Sequence, residues 1–125
     1  MKKILFVDDD VSCLKGLKMY FDLRNFLTVT TTSFSGAIQL LDTEEISLVC
    51  TDWDLPGGRS GLEILAYARK KNIPVVFLTG HDEDSYERKA LDQGAVCYYI
   101  KGQISYFKFR DEIIDLVSKE ENQFQ

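Results

Sequence analysis

The chain has 125 residues, 45% of them hydrophobic and 28% charged, a composition that suits one globular domain over 1–125 built around a single core. A net charge of -5 and a pI near 4.8 argue against nucleic acid as a direct partner, since phosphate binding requires a clustered basic surface. No apolar stretch approaches the ~20 residues of a membrane span; MKKILFV turns acidic too soon for a signal peptide, and the scattered Cys13, Cys50 and Cys97 suit free thiols in a reducing cytoplasm.

Ile4 to Val7 is a short apolar run ending in Asp8-Asp9-Asp10, and Val11 to Arg24 then repeats Leu14, Leu17 and Phe21 on one helical face. Strand is followed by helix, with Asp10 as the cap. Leu27 to Thr32 alternates and is rich in β-branched residues, the pattern of an edge strand. Ser33 can cap a helix carrying Ala37, Leu40 and Leu41, and Ile46 to Thr51 is again strand-like. Ser60-Gly61-Leu62-Glu63 fits a capping box opening a helix with Leu62, Leu65 and Ala66 on its inner face, which Asn72 ends. Ile73 to Leu78 is strand, Asp82 to Gln93 a polar-faced helix stopped by Gly94, Ala95 to Ile100 strand, and Ser105 to Lys119 a last helix with Phe109, Ile113, Leu116 and Val117 inward. Residues 120–125 read as a frayed tail.

Five strands alternating with five helices predict an α/β fold with a parallel sheet covered on both faces, because parallel strands need right-handed crossovers. On that frame Asp8 and Asp9 follow the first strand, Asp52 the third, Thr79 the fourth and Lys101 the fifth, all at the carboxyl edge where ligands bind in open α/β sheets. Crowded carboxylates either share protons or hold a cation, and an all-oxygen cluster suits Mg²⁺. A metal alone needs neither Thr79 nor Lys101. A phosphoryl group beside the metal needs both, the lysine as a compact charge and the threonine as a hydrogen-bond donor, with Asp52 as the nucleophile forming an acyl phosphate.

These motifs, ILFVDDD, TDWDLPGG, GLEIL, PVVFLTG and GAVCYYIK, resemble the receiver domains of two-component response regulators along essentially the whole chain. The resemblance implies a flavodoxin-like doubly wound sheet of order 2-1-3-4-5. Asp52 would be the phosphoacceptor, Asp8 and Asp9 the acidic pocket with Asp9 a direct Mg²⁺ ligand, and the backbone carbonyl of Asp54 the remaining protein ligand. Thr79 and Lys101 would bind the phosphoryl group, and Tyr98 would be the aromatic that turns inward when Thr79 moves. The implied donor is a histidine kinase or histidine phosphotransfer protein. The implied output is an altered protein interaction at the fourth helix, fifth strand and fifth helix, in a signalling domain that promotes only its own phosphorylation and dephosphorylation.

Two departures from the usual receiver pattern carry expectations of their own. Pro56 and Gly61 stand one residue further apart than in the commonest receivers, so the loop should bulge. Lys101 is followed by Gly102 in place of proline, which predicts a trans peptide, since a cis bond without proline costs about 2.5–4 kcal/mol. Asp54 adds a carboxylate beside the approach of water to the acyl phosphate, Trp53 shields one side of the site, and His81 is a loop residue at its rim with no ligand role of its own. Asp52-Trp53-Asp54 after a strand also opens phosphatases of the haloacid-dehalogenase type, and a receiver fold can serve as a phosphorylation-independent docking module. The short chain and the Asp8-Asp9 pair weigh against the first, and the complete set of Asp9, Asp52, Thr79 and Lys101 against the second.

Overall fold

Short runs of branched and aromatic residues form the strands of the computed structural model, which describes residues 2–122. They are β1 (Lys3–Val7), β2 (Thr28–Thr31), β3 (Ile46–Thr51), β4 (Val75–Thr79) and β5 (Cys97–Ile100). The helices between and after them are α1 (Val11–Asp22), α2 (Phe34–Thr43), α3 (Gly61–Lys70), α4 (Asp84–Asp92) and α5 (Tyr106–Asn122). Every pairing within the five-stranded sheet is parallel, in the order β2-β1-β3-β4-β5, with β2 at one edge as its alternating sequence predicts.

Alternation along each strand feeds two cores. Leu5, Val7, Val49, Val75 and Phe77 point to one face and meet Ala37 and Leu41 of α2, Ile64, Leu65 and Ala68 of α3, and Ala90 of α4. Ile4, Phe6, Leu48, Cys50, Val76 and Leu78 point to the other and meet Leu14, Leu17 and Phe21 of α1 with Phe109, Ile113 and Val117 of α5. Phe6 packs on Phe21 at 5.1 Å between ring centroids, and Phe21 on Phe109 at 6.4 Å. Each such buried ring contributes about 1.5–3 kcal/mol. The three cysteines are free, Cys13 and Cys50 buried and Cys97 half-buried.

Caps set most boundaries. Asp10 accepts from the Ser12 and Cys13 amides, Ser33 from that of Gly36, and Ser60 and Glu63 close the expected capping box. Several elements are shorter than their periodicity predicts. α1 stops at Asp22 because the chain turns through Asn25 at φ 61°, and β4 begins after Pro74, which has no amide to donate. α4 and β5 also lose residues at their ends, whereas α5 continues to Asn122, past the expected stop at Lys119, since no glycine or proline interrupts it. Of the expected tail, residues 123–125 lie outside the described residues. Within α3 the buried face is Gly61, Ile64, Leu65 and Ala68, while the expected Ala66 is exposed, because a face anchored by Ile64 and Ala68 at i, i+4 turns Ala66 outward.

Candidate functional site

Strand register delivers the site. Val7 lies opposite Thr51, Thr51 opposite Phe77, and Thr79 opposite Ile100, so the residues that follow these strands come out side by side. The Asp52 amide donates to the Val7 carbonyl at 2.9 Å, and the Lys101 amide to the Thr79 carbonyl at 2.8 Å. The sheet thus brings Asp8, Asp52, Thr79 and Lys101 to one edge by backbone pairing alone. Asp9 joins them: carboxylate oxygens of Asp8, Asp9 and Asp52 lie within 4.8 Å of one another, the one such acidic group among the described residues.

The lysine ammonium sits between two of these acids. Lys101 Nζ donates to Asp8 Oδ2 at 2.7 Å and to Asp52 Oδ2 at 3.0 Å. The other Asp8 oxygen accepts from the Asp10 amide at 2.9 Å, and Asp52 Oδ1 from the Trp53 amide at 2.6 Å, so both carboxylates are fixed in orientation. Burial pushes the Asp8 carboxyl above its usual range, outweighing the hydrogen bonds from Lys101 and the Asp10 amide that act the other way. Burial also opposes the charge on Lys101, yet its bonds to Asp8 and Asp52 hold the ammonium above its usual pKa. Three carboxylates face one ammonium, and an all-oxygen donor set with excess negative charge fits a hard divalent cation.

Thr79 is buried at the end of β4, and its hydroxyl oxygen accepts a long 3.5 Å bond from the His81 amide. Tyr98 and Tyr99 point to opposite faces, as their adjacency predicts. Tyr98 stacks on Phe77 at 6.0 Å and its phenol donates to the His81 carbonyl at 2.7 Å; burial, helped by Glu87 and Glu83, pushes that phenol up to about 12. The Lys101–Gly102 peptide is trans, like every other peptide bond among the described residues, with Gly102 at φ 85°.

The loop after Asp52 departs from a simple bulge. Asp54–Leu55 and Arg59–Ser60 pair antiparallel around a tight turn at Pro56–Gly58, where Gly57 and Gly58 take φ of 74° and 73°. The Gly61 amide closes this hairpin onto the Trp53 carbonyl at 2.8 Å, and a β-carbon at Gly61 would stand only 2.2 Å from the Asp52 carbonyl oxygen. The Arg59 guanidinium lies 3.8 Å over the Phe34 ring and meets Glu63 at 2.9 Å, tying the hairpin to α2 and α3. Trp53 is buried against Phe77 at 5.4 Å and Tyr86 at 4.7 Å, so it is a core residue as well as a wall of the site.

His81 has more partners than a rim residue needs. Its Nε2 meets Asp54 Oδ2 at 2.6 Å, and its ring lies parallel to Tyr86 with centroids 4.1 Å apart. Sequence reading treats Asp54 and His81 separately and misses this pair. A signal for it exists: Asp54 is two residues beyond Asp52 and His81 two beyond Thr79, each just past the end of one of two neighbouring parallel strands.

The comparisons with known proteins agree with this geometry. A family model described as the response regulator receiver domain matches residues 4–105. The transcriptional regulatory protein BasR of Escherichia coli (strain K12) is 36% identical over 101 residues, which cover 79% of this chain and 45% of BasR. Less than half the length of such curated relatives is spanned by this chain. The solved structure of a receiver domain protein (CheY-like) from Methanospirillum hungatei JF-1 superposes with a TM-score of 0.88 over 98% of both chains at 22% identity. A response regulator from Burkholderia pseudomallei, solved with a phosphorylated aspartic acid, a calcium ion and citrate, gives 0.79 over 98% of this chain and 72% of its own, at 20% identity. Both likenesses are likenesses of fold.

Proposed function

Because the chain belongs to the response regulator receiver domain family, we propose that Asp52 accepts a phosphoryl group from a histidine kinase or histidine phosphotransfer protein and that the acyl phosphate changes which protein this domain binds. The observation that carries the reading is Lys101 Nζ bridging Asp8 and Asp52 at 2.7 and 3.0 Å, within a group of three carboxylates at the sheet's carboxyl edge. The phosphorylated aspartate and calcium ion of the Burkholderia protein, on the same fold, support it.

In this reading an oxygen of Asp52 bonds to phosphorus while the P–N bond of a phosphohistidine breaks and the imidazole leaves with its electron pair. The Trp53 amide holds the carboxylate in its attacking orientation through Oδ1. Lys101 turns from its two carboxylates to the phosphoryl oxygens, and the Thr79 hydroxyl donates to another of them. Asp8, Asp9, Asp52 and the Asp54 backbone carbonyl would hold Mg²⁺, which when bound would supply positive charge beside the transferring group. Thr79 and Tyr98 pass the change to α4, β5 and α5, where the output protein docks. No described helix is long and apolar enough to cross a membrane, and the reading places the domain in the cytoplasm beside its phosphodonor.

Incubation with acetyl phosphate or phosphoramidate and Mg²⁺, followed by intact mass measurement, tests this reading. One phosphoryl adduct is expected on the wild type and none on Asp52→Asn. An adduct on neither protein would leave the fold as a docking module.

A further inference from the structure

Four separate contacts converge on His81. Its imidazole reaches across to Asp54 in the hairpin, its ring stacks on Tyr86 of α4, its carbonyl accepts the Tyr98 phenol, and its amide donates to the Thr79 hydroxyl. Resting on the reading above, we propose that the Asp54–His81 pair is a latch that holds the loop between β4 and α4, and with it Thr79 and Tyr98, in the arrangement seen here, and so opposes the rearrangement that phosphorylation demands.

The direction follows from the connectivity. The His81 amide ties the Thr79 hydroxyl oxygen to this loop, so a displacement of that hydroxyl towards a phosphoryl group on Asp52 stretches an already long 3.5 Å bond. The Tyr98 phenol is held by the carbonyl of the same residue, so Tyr98 cannot reorient without giving up His81 as well. The residue whose two flanking peptide units serve these groups is pinned at its side chain by Asp54 and by the parallel Tyr86 ring. Asp54 is three-quarters exposed, with 76% of its side-chain surface open, so the pair does little for the core and acts where the two loops meet. Held in place, the loop spends less time in the form that binds a phosphoryl group well, and apparent affinity falls by that fraction.

A stable phosphoryl analogue separates the latch from the site itself. Beryllofluoride binding in the presence of Mg²⁺, followed by calorimetry, is compared among the wild type, His81→Phe, His81→Gln, Asp54→Ala and the double variant His81→Phe with Asp54→Ala. His81→Phe keeps an aromatic ring on Tyr86 and loses Nε2, and Asp54→Ala removes the exposed carboxylate while its backbone carbonyl stays. Each is expected to bind the analogue about two- to fivefold tighter, the range of one exposed polar contact. The double variant should bind no tighter than either single one, because the two changes break the same contact. His81→Gln can place a side-chain amide donor near Asp54 and should return towards the wild type. General loosening of the fold would weaken binding, so tighter binding with rescue by glutamine is the signature of a latch. Unchanged or weaker binding by both single variants, or additive gains in the double one, would overturn the latch while leaving the phosphoryl site intact. Wild type that binds no beryllofluoride at all would overturn the site reading and the latch together.

Discussion

At the amino end of the sheet charges meet one to one or on a carbonyl: Lys3 meets Glu44 at 2.7 Å, Lys71 meets Asp42 at 3.1 Å, and Arg69 donates to the Gln93 carbonyl at 2.8 Å. At the carboxyl end three carboxylates crowd around one ammonium, and Asp8 is buried to 4% exposure. The backbone is built alike at both ends, with strands giving way to loops and helix termini. What differs is the balance of charge and its depth. Balanced surface pairs are what a solvated boundary requires, whereas buried, unbalanced carboxylates raise the energy of the resting protein. Such an excess makes sense when something positive is to be bound, and the contrast locates function at one end of a symmetrical-looking layer.

Removing the single cation should break the contrast most severely. Lys101→Met leaves Asp8 and Asp52 without their bridging donor, and the rate of adduct formation from acetyl phosphate is expected to fall tenfold or more, as when one preorganised donor is lost. Stability should also fall by about 1–3 kcal/mol at neutral pH, less than for a fully buried pair because the lysine is partly exposed. The hydrogen bonds from Lys101 to Asp8 and Asp52 hold it above its usual 10.5 in spite of burial. Its contribution is therefore fully present below that value and is lost as pH rises through the higher folded one. Urea unfolding across the alkaline range should show the wild-type margin constant to about pH 10 and closing above it. Equal adduct formation by both proteins would mean that the lysine merely balances charge.

Asp8→Asn sharpens the comparison in the opposite direction. Burial raises the Asp8 carboxyl above 3.8 in spite of Lys101, so the stability linked to its proton is present below 3.8 and lost as pH rises through its folded value. At neutral pH without metal the variant should be more stable than the wild type, on the order of 1 kcal/mol, because one member of a crowded carboxylate set has become neutral. The difference should shrink towards acid, and Mg²⁺ should narrow or reverse it by stabilising the wild type alone. A metal-free Asp8→Asn protein that melts below the wild type would show that the Asp8–Lys101 bond outweighs the crowding.

The carboxyl edge was legible in the sequence because it depends on little more than where apolar runs stop. Asp8, Asp52, Thr79 and Lys101 each follow such a run, and parallel pairing brings all four ends together whatever the side chains do. Helix and strand limits were less legible where a local conformation intervened, as at Asn25 and Pro74. The hairpin at residues 54–60 depends on two glycines at positive φ and on Arg59 lying over Phe34, a contact between segments 25 residues apart that no local pattern encodes. His81 reads as an ordinary loop residue because its partners belong to three other segments, Asp54, Tyr86 and Tyr98. Tyr98 shows the limit from the other side: alternation fixes the face it points to, and only the tertiary fold shows its phenol on the His81 carbonyl.

The smallest effect is expected at the amino end, where Lys3→Ala removes one charge of a pair whose side chains are both about one-third exposed. Backbone pairing of β1 survives the change, since the Lys3 amide donates to the Glu45 carbonyl and the strand registers against β2 and β3 through its main chain. The loss should be about 0.2–1 kcal/mol in urea unfolding and should shrink as salt is added, because exposed charges are screened over roughly 8–10 Å at physiological ionic strength. Glu44→Ala should cost a similar amount, and the double variant less than the sum of the two. Adduct formation from acetyl phosphate should be unchanged, because the pair lies at the opposite end of β1 from Asp8. A lowered adduct rate in Lys3→Ala would mean that charge at one end of β1 tunes chemistry at the other, and the two ends of the sheet could no longer be treated as separate electrostatic environments.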